Sequence, residues 1–200
     1  MKKIKSILFL MVGITISTLA FSQIEAGKMR IMVGYGLPNI PAKSLSNTSA
    51  SSGPLEIGYK YSINDKWSIG LMYNHSSATT EDININDGNG NDYTYSFGVT
   101  FNTFLTQVDY HWANTEKYNL YSGIGLGYVS VTGTTNMTVN TGVNPDPTDP
   151  TLTFSAVSSG MAYHITAIGI NSKIVGGLGV YSELGVGYNG YFNAGLSYTF

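Results

Sequence analysis

Tyr191 to Phe200 read YFNAGLSYTF, and hydrophobic and polar residues alternate through this stretch without a break. Phe192, Ala194, Leu196, Tyr198 and Phe200 share one face, while Asn193, Gly195, Ser197 and Thr199 share the other. A period of two marks a strand with one apolar and one polar side. The stretch closes on an aromatic ring, where the termini of water-soluble domains usually fray into a polar tail. A strand set between lipid and a polar lumen requires this pattern.

The composition points the same way. Charged residues make up 11% of the 200, against roughly 25% in ordinary soluble proteins. Tyrosine (15) and glycine (24) are abundant and cysteine is absent, so closure by backbone hydrogen bonds, not a disulfide framework, is expected to hold the fold. Met1 to Ser22 combines a basic start, an apolar run from Ile7 to about Leu19 and small residues at Ala20 and Ser22, the pattern of a removable export signal. The expected division is a signal peptide over 1–22 and one barrel domain over 23–200. Without Lys2, Lys3 and Lys5, seven basic residues face twelve acidic ones, about −5, which argues against a nucleic-acid partner.

Further alternating segments follow the signal. Met29, Ile31, Val33 and Tyr35 share a face opposite Arg30; Leu55, Ile57, Tyr59 and Tyr61 share one opposite Glu56, Gly58 and Lys60; Trp67, Ile69, Leu71 and Tyr73 begin a third strand. In the fourth, Tyr93 to Phe101 keep one phase and Phe104 to Trp112 the other, which suggests a bulge between Phe101 and Phe104. Leu120, Ile124, Leu126 and Tyr128 form the fifth, with Gly123, Gly125 and Gly127 facing inward. The sixth, about Ala162 to Ile170, carries isoleucine on both faces and its phase stays open. Val180, Leu184, Val186 and Tyr188 lead into the final strand. The reading is all-β: an eight-stranded antiparallel up-and-down transmembrane β-barrel with contact loops at Leu37–Gly53, Ser76–Asp92 and Thr134–Phe154.

A lysine or arginine facing lipid at mid-membrane costs about 2–4 kcal/mol, and no ionisable side chain stands on the assigned apolar faces. Arg30, Glu56, Lys60, Asp109, His111 and Glu183 all fall on the opposite face. Tyr61, Trp67, Trp112 and Tyr198 at one set of strand ends, with Tyr35, Tyr73, Tyr128 and Tyr188 at the other, are placed as two aromatic girdles.

With these residues in view, the chain resembles the small outer-membrane β-barrel families of the OmpA/OmpX type, especially those of Bacteroidetes. The likeness rests on the signal ending FSQ, on ELGVGY (Glu183 to Tyr188) and on the terminal NAGLSYTF. It implies a bacterial outer-membrane location after export. It also implies that Asn193, Gly195, Tyr198 and Phe200 form an assembly signal read by the barrel assembly machinery. Outer-membrane lipid and lipopolysaccharide are then the surrounding partners; no extracellular partner is implied.

An eight-stranded barrel is just wide enough for side chains to fill. Arg30 and Lys60 against Glu56, Asp109 and Glu183, with His111, therefore read as a packed lumen network. His75 and Ser77 share a face at the outer end of the third strand, a spacing similar to that in outer-membrane lipid A deacylases, and are the candidate base and nucleophile. Glu81, Asp87 and Asp92 are candidate orienting acids fixed by no motif. Asp82 to Gly88 alternates oxygen ligands, but its glycine is displaced and no glutamate closes it, so it reads as a hairpin tip and not a calcium loop. Glu81, Asp82, Asp87, Asp92, Asp146 and Asp149 against Lys43 leave weak divalent bridging to lipopolysaccharide phosphates open. His164 lies in the strand of open phase. No cofactor or metal site is expected. The leading function is a non-enzymatic outer-membrane barrel with a filled polar lumen, serving envelope structure or surface adhesion. Uptake of a small hydrophobic molecule and lipid A hydrolysis by His75 and Ser77 are the alternatives.

Overall fold

The computed structural model describes residues 23–37, 48–80, 82–86, 92–140 and 151–200. The expected signal peptide lies outside them. Nine strands and no helix occur among the described residues: β1 (Met29–Gly36), β2 (Thr48–Ser62), β3 (Trp67–Thr80), β4 (Ile83–Asn86), β5 (Asp92–Asn114), β6 (Tyr118–Asn140), β7 (Thr151–Val175), β8 (Leu178–Gly187) and β9 (Phe192–Thr199). Sequential neighbours pair antiparallel except β3 and β4; β3 pairs with β5 instead, and β1 pairs with β9. The sheet is therefore a closed ring of eight strands, with the short β4 outside it on the edge of β5. Seven residue pairs from Arg30↔Thr199 to Gly36↔Asn193 close the ring. Met29 and Phe200 exchange both backbone hydrogen bonds at 3.0 and 2.9 Å. The stretch Tyr191 to Phe200 is thus the closing seam, and closure removes the edges that lipid could not satisfy.

The ring has the polarity of a membrane wall. Ile31, Ile57, Leu71, Phe104, Ile124, Leu126, Ile165, Leu184 and Leu196 are exposed on its outside, while Arg30, Glu56, Lys60, Asp109, His111 and Glu183 are buried within it. Water would favour the reverse. Lipid outside and a closed lumen inside favour this one, so the fold is an eight-stranded antiparallel transmembrane β-barrel.

A membrane-spanning strand needs about 9–11 residues, yet β5, β6 and β7 run for 23, 23 and 25. Their pairing continues unbroken up to Asp92↔Asn140 and Thr138↔Thr151, so these strands rise well above the ring. Here the structure corrects the expected contact loops. The described residues of Leu37–Gly53, Ser76–Asp92 and Thr134–Phe154 are largely strand: 48–53 in β2, 76–80 in β3, 83–86 in β4, 134–140 in β6 and 151–154 in β7. Residues 38–47, 87–91 and 141–150 lie outside the described residues. The sequence here is rich in Thr, Ser and Asn, and a sheet wet on both faces shows no apolar alternation.

Two phase problems are resolved. The expected bulge between Phe101 and Phe104 is absent, because β5 keeps register with β3 and β6 throughout that region. Phe101 instead turns into the lumen and packs with Met72, Ala78, Leu105, Val129 and Ala162. The apolar face changes sides there because the upper lumen holds an apolar cluster. In β7 the extra residue is Ala167, skipped by the pairings to both neighbours. Ala167 and Ile168 both face out, so Ile165, Ile168 and Ile170 all reach the lipid side although they alternate out of phase.

Candidate functional site

The lumen is built around Lys60. Its Nζ lies 2.7 Å from Asp109 Oδ2 and 3.2 Å from Glu183 Oε1, with all three side chains at most 4% exposed. The Tyr121 hydroxyl donates to Glu183 Oε1 at 2.6 Å, and Lys60 Nζ sits 4.6 Å from the centre of the same ring. Gln107 Nε2 donates to Asp109 Oδ1 at 2.7 Å, and Ser68 Oγ donates to Asp109 Oδ2 at 3.4 Å. Ser68 also lies 2.9 Å from His111 Nε2, whose Nδ1 lies 2.9 Å from Asn119 Oδ1. Glycine makes the room: a Cβ on Gly123 would collide with the Asp109 carboxylate, and one on Gly169 with the Tyr121 ring.

Of the six expected lumen residues, Lys60, Asp109, Glu183 and His111 are brought together through these contacts. Arg30 and Glu56 are buried in the same lumen but stand apart. Arg30 Nε donates to Thr199 Oγ1 at 3.1 Å, and Glu56 accepts from the Tyr181 hydroxyl at 2.8 Å and from Asn193 Nδ2 at 3.4 Å. Neither has an ion-pair partner among the described residues. The ionic network is thus smaller than expected; Tyr121, Gln107, Ser68 and Asn119 complete it, and Tyr181 serves Glu56. Tyr121 and Tyr181 keep phase with Gly123 and Glu183, so the alternation alone could have found them.

Above this layer the lumen divides. The apolar cluster around Phe101 fills the side of β3, β5, β6 and β7. Asn74, Asn189 and Asn193, all buried, line the side nearer β8, β9, β1 and β2, where Asn74 Nδ2 donates to Asn189 Oδ1 at 2.7 Å. At the opposite mouth, residues 23–27 cross from β1 to the β5–β6 turn, four strands away around the ring. Gln23 N donates to Thr115 O at 3.1 Å, Asn114 Nδ2 donates to Ile24 O at 2.8 Å, and Gly27 N donates to Ser62 O at 2.9 Å. Ile24 is buried beneath them. A polar cavity of about 450 Å³ opens beside this strap, lined by Lys28, Glu116, Asn171, Lys173 and Ser197 among others.

His75 and Ser77 lie on one face of β3, the outward one, but no hydrogen bond joins them. His75 Nδ1 lies 2.9 Å from Asn102 Oδ1, which also accepts the Tyr73 hydroxyl at 2.9 Å. Ser77 Oγ lies 2.9 Å from Ser52 Oγ. Glu81 and Asp87 lie outside the described residues, as do the Asp92 side chain, Lys43, Asp146 and Asp149. Asp82 is exposed, and Asn84 Oδ1 accepts from Thr94 Oγ1 at 2.7 Å within the β4–β5 pair.

The wall aromatics Tyr35, Tyr61, Trp67, Trp112, Tyr128, Tyr198 and Phe200 are exposed and Tyr73 is half-buried. Trp67 and Tyr110 pack as tilted rings at 5.0 Å, and Tyr73 and Phe104 at 4.9 Å. Tyr188 departs from the expected girdle: half-buried, it packs against the inner apolar cluster and meets Tyr163 edge-on at 6.1 Å. In the closing strand Asn193 is buried, Gly195 is half-buried, and Tyr198 and Phe200 face out.

No protein-family model matches the chain, and no curated protein matches it. Among solved structures, Ail, the attachment invasion locus protein of Yersinia pestis, in complex with the heparin analogue sucrose octasulfate, is 12% identical. The match covers 88% of this chain and 99% of Ail at a TM-score of 0.45. The outer membrane protein OprG from Pseudomonas aeruginosa is 14% identical, with 90% of this chain and 99% of OprG covered at a TM-score of 0.36.

Proposed function

We propose that this chain is a non-enzymatic barrel of the bacterial outer membrane that holds a projecting sheet outside the cell for contact with a partner. Export would use the signal over 1–22, and insertion the closing strand that ends in Phe200. The observation that carries the surface role is the upper half of β7. Among the described residues, Thr151 to Ala162 pairs with β6 on one side only, because pairing with β8 begins at His164 and the Tyr163 carbonyl accepts from Tyr188 N. Twelve residues, TLTFSAVSSGMA, thus present an open strand edge with no charged side chain. Leu152, Phe154, Val157 and Met161 are 49, 62, 70 and 83% exposed along it.

Proteins normally blunt such an edge with lysine, proline or a bulge, and an open edge is a template for an added strand. The occupied middle of the lumen supports this reading over a conduit. The 23–27 strap covers one mouth, the Lys60 layer fills the middle and the Phe101 cluster occupies part of the top. The experiment is adhesion of cells displaying the wild type or the double variant V157K/S159K, with heat-shifted gel mobility as the check that the barrel is intact. Wild-type cells are expected to adhere above empty-vector cells, and the variant to fall to that background. Equal adhesion by wild type and variant contradicts the proposal.

A further inference from the structure

Charge and hydrogen-bonding capacity do not balance inside the lumen. Among the described residues, three buried carboxylates, Glu56, Asp109 and Glu183, face two buried cations, Arg30 and Lys60. Lys60 serves both Asp109 and Glu183, which leaves Glu56 with neutral donors alone. Buried polar atoms without a hydrogen-bond partner are skewed the same way. Asn74 Oδ1, Gln107 Oε1, Glu183 Oε2 and Asn193 Oδ1 are acceptors, Asn189 Nδ2 is a donor, and the two nitrogens of His164 supply one of each in a neutral ring. Leaving buried acceptors unmet is destabilising, so a surplus of them in one enclosed space points to a donor or cation that serves several together.

Three of these groups meet at one place. Glu56 and Asn74 are cross-strand partners on β2 and β3 with both side chains inward. Asn193 reaches Glu56 from β9, the Tyr181 hydroxyl reaches it from β8, and Glu56, Asn74 and Asn193 are 0, 2 and 1% exposed. A half-turn of the Asn193 amide brings its oxygen against Glu56 Oε2 at the cost of a single 3.4 Å hydrogen bond, since Oδ1 has no partner where it stands. Carboxylate and amide oxygens are the ligands of hard cations.

We propose that Glu56, with the amide oxygens of Asn74 and Asn193, binds one small monovalent cation of the sodium class inside the barrel. One carboxylate among neutral oxygens suits a single positive charge, whereas divalent ions draw on more than one carboxylate. A single cation also satisfies several oxygens together, where a proton on Glu56 would satisfy one. Because the site is enclosed, the ion is taken up as the ring closes.

The test refolds the full mature chain into micelles in sodium chloride or, at equal ionic strength, in choline chloride, whose cation is too bulky to enter. The urea midpoint of unfolding is then measured. The wild-type midpoint is expected to be higher in sodium and to rise with the logarithm of its concentration. The midpoint of E56Q is expected to be the same in both salts. A wild-type midpoint indifferent to the cation overturns the proposal, and so does an E56Q midpoint that keeps the wild-type sodium dependence. N193S retains the carboxylate and loses one ligand, which covers the case in which E56Q fails to refold. It is expected to need several-fold more sodium for the same shift, and an unchanged dependence contradicts the site.

Discussion

Replacing Lys60 with methionine keeps most of the side-chain volume and deletes one charge from the centre of the lumen. Asp109 at 2.7 Å and Glu183 at 3.2 Å then lose their shared cation, and both carboxylates are at most 1% exposed. Removing one partner of a buried pair costs about 3–5 kcal/mol, chiefly because a charge is left unpaired in a medium that cannot solvate it. At 1.4 kcal/mol per decade, K60M should shift the folding equilibrium by roughly two to four orders of magnitude. The remaining bonds from Tyr121 to Glu183 and from Gln107 to Asp109 offset part of this loss. The triple variant K60M/D109N/E183Q removes the stranded charges together with the lysine and should recover most of the stability, since buried ion clusters replaced whole are often neutral. Equilibrium urea unfolding in micelles, followed by heat-shifted gel mobility, measures all three proteins. A K60M barrel within about 0.5 kcal/mol of wild type, the scale of an ordinary surface change, would refute the reasoning.

Three further outcomes are expected. Phe200→Ala removes a ring that is already 50% exposed and keeps both backbone bonds to Met29, so refolding in vitro should suffer by no more than about 1.5–3 kcal/mol. Its level in the outer membrane of cells should fall steeply; normal levels there, measured by fractionation, would argue against an assembly role for the ring. Leu126→Arg places a charge on the lipid face and should cost about 2–4 kcal/mol in vesicles, whereas the same change in a water-exposed wall would be nearly silent on urea unfolding. Deleting Ala167 removes the bulge and leaves Ile165, Ile168 and Ile170 in one regular outward phase, with Ile168 free to pair with Ser122. Refolding yield should be kept, and a collapse would mean that the bulge itself is required.

Much of the wall was legible because lipid and lumen impose opposite demands on alternate residues. Arg30, Glu56, Lys60, Asp109, His111 and Glu183 could be assigned inward from charge alone, and the structure places each of them there. Three features were not legible, for different reasons. Residues such as Thr134 to Thr138 are part-exposed on both faces of the sheet, so the apolar alternation that marks a half-buried strand is missing and the projecting sheet read as loop. Phe101 faces inward because the upper lumen is apolar, a fact carried by Met72, Val129 and Ala162 on other strands. The bulge at Ala167 is defined by what β6 and β8 pair with, which one strand's sequence does not contain. Within the lumen, pairing depended on reach: Lys60 spans to both Asp109 and Glu183, while Arg30 is held by Thr199.

The absence of cysteine allows a single nitroxide to be placed at each position from Ala162 to Asn171 in vesicles, with its collisions with oxygen and with a water-soluble nickel chelate recorded. Oxygen partitions into lipid, so the inverted wall predicts high oxygen access at Tyr163, Ile165, Ala167, Ile168 and Ile170, with the phase slipping by one at Ala167. Ala162, His164, Thr166, Gly169 and Asn171 should be shielded from oxygen. Shielded isoleucines beside water-exposed His164 and Thr166 would mean that the apolar face is the protein interior, and the membrane barrel would be wrong.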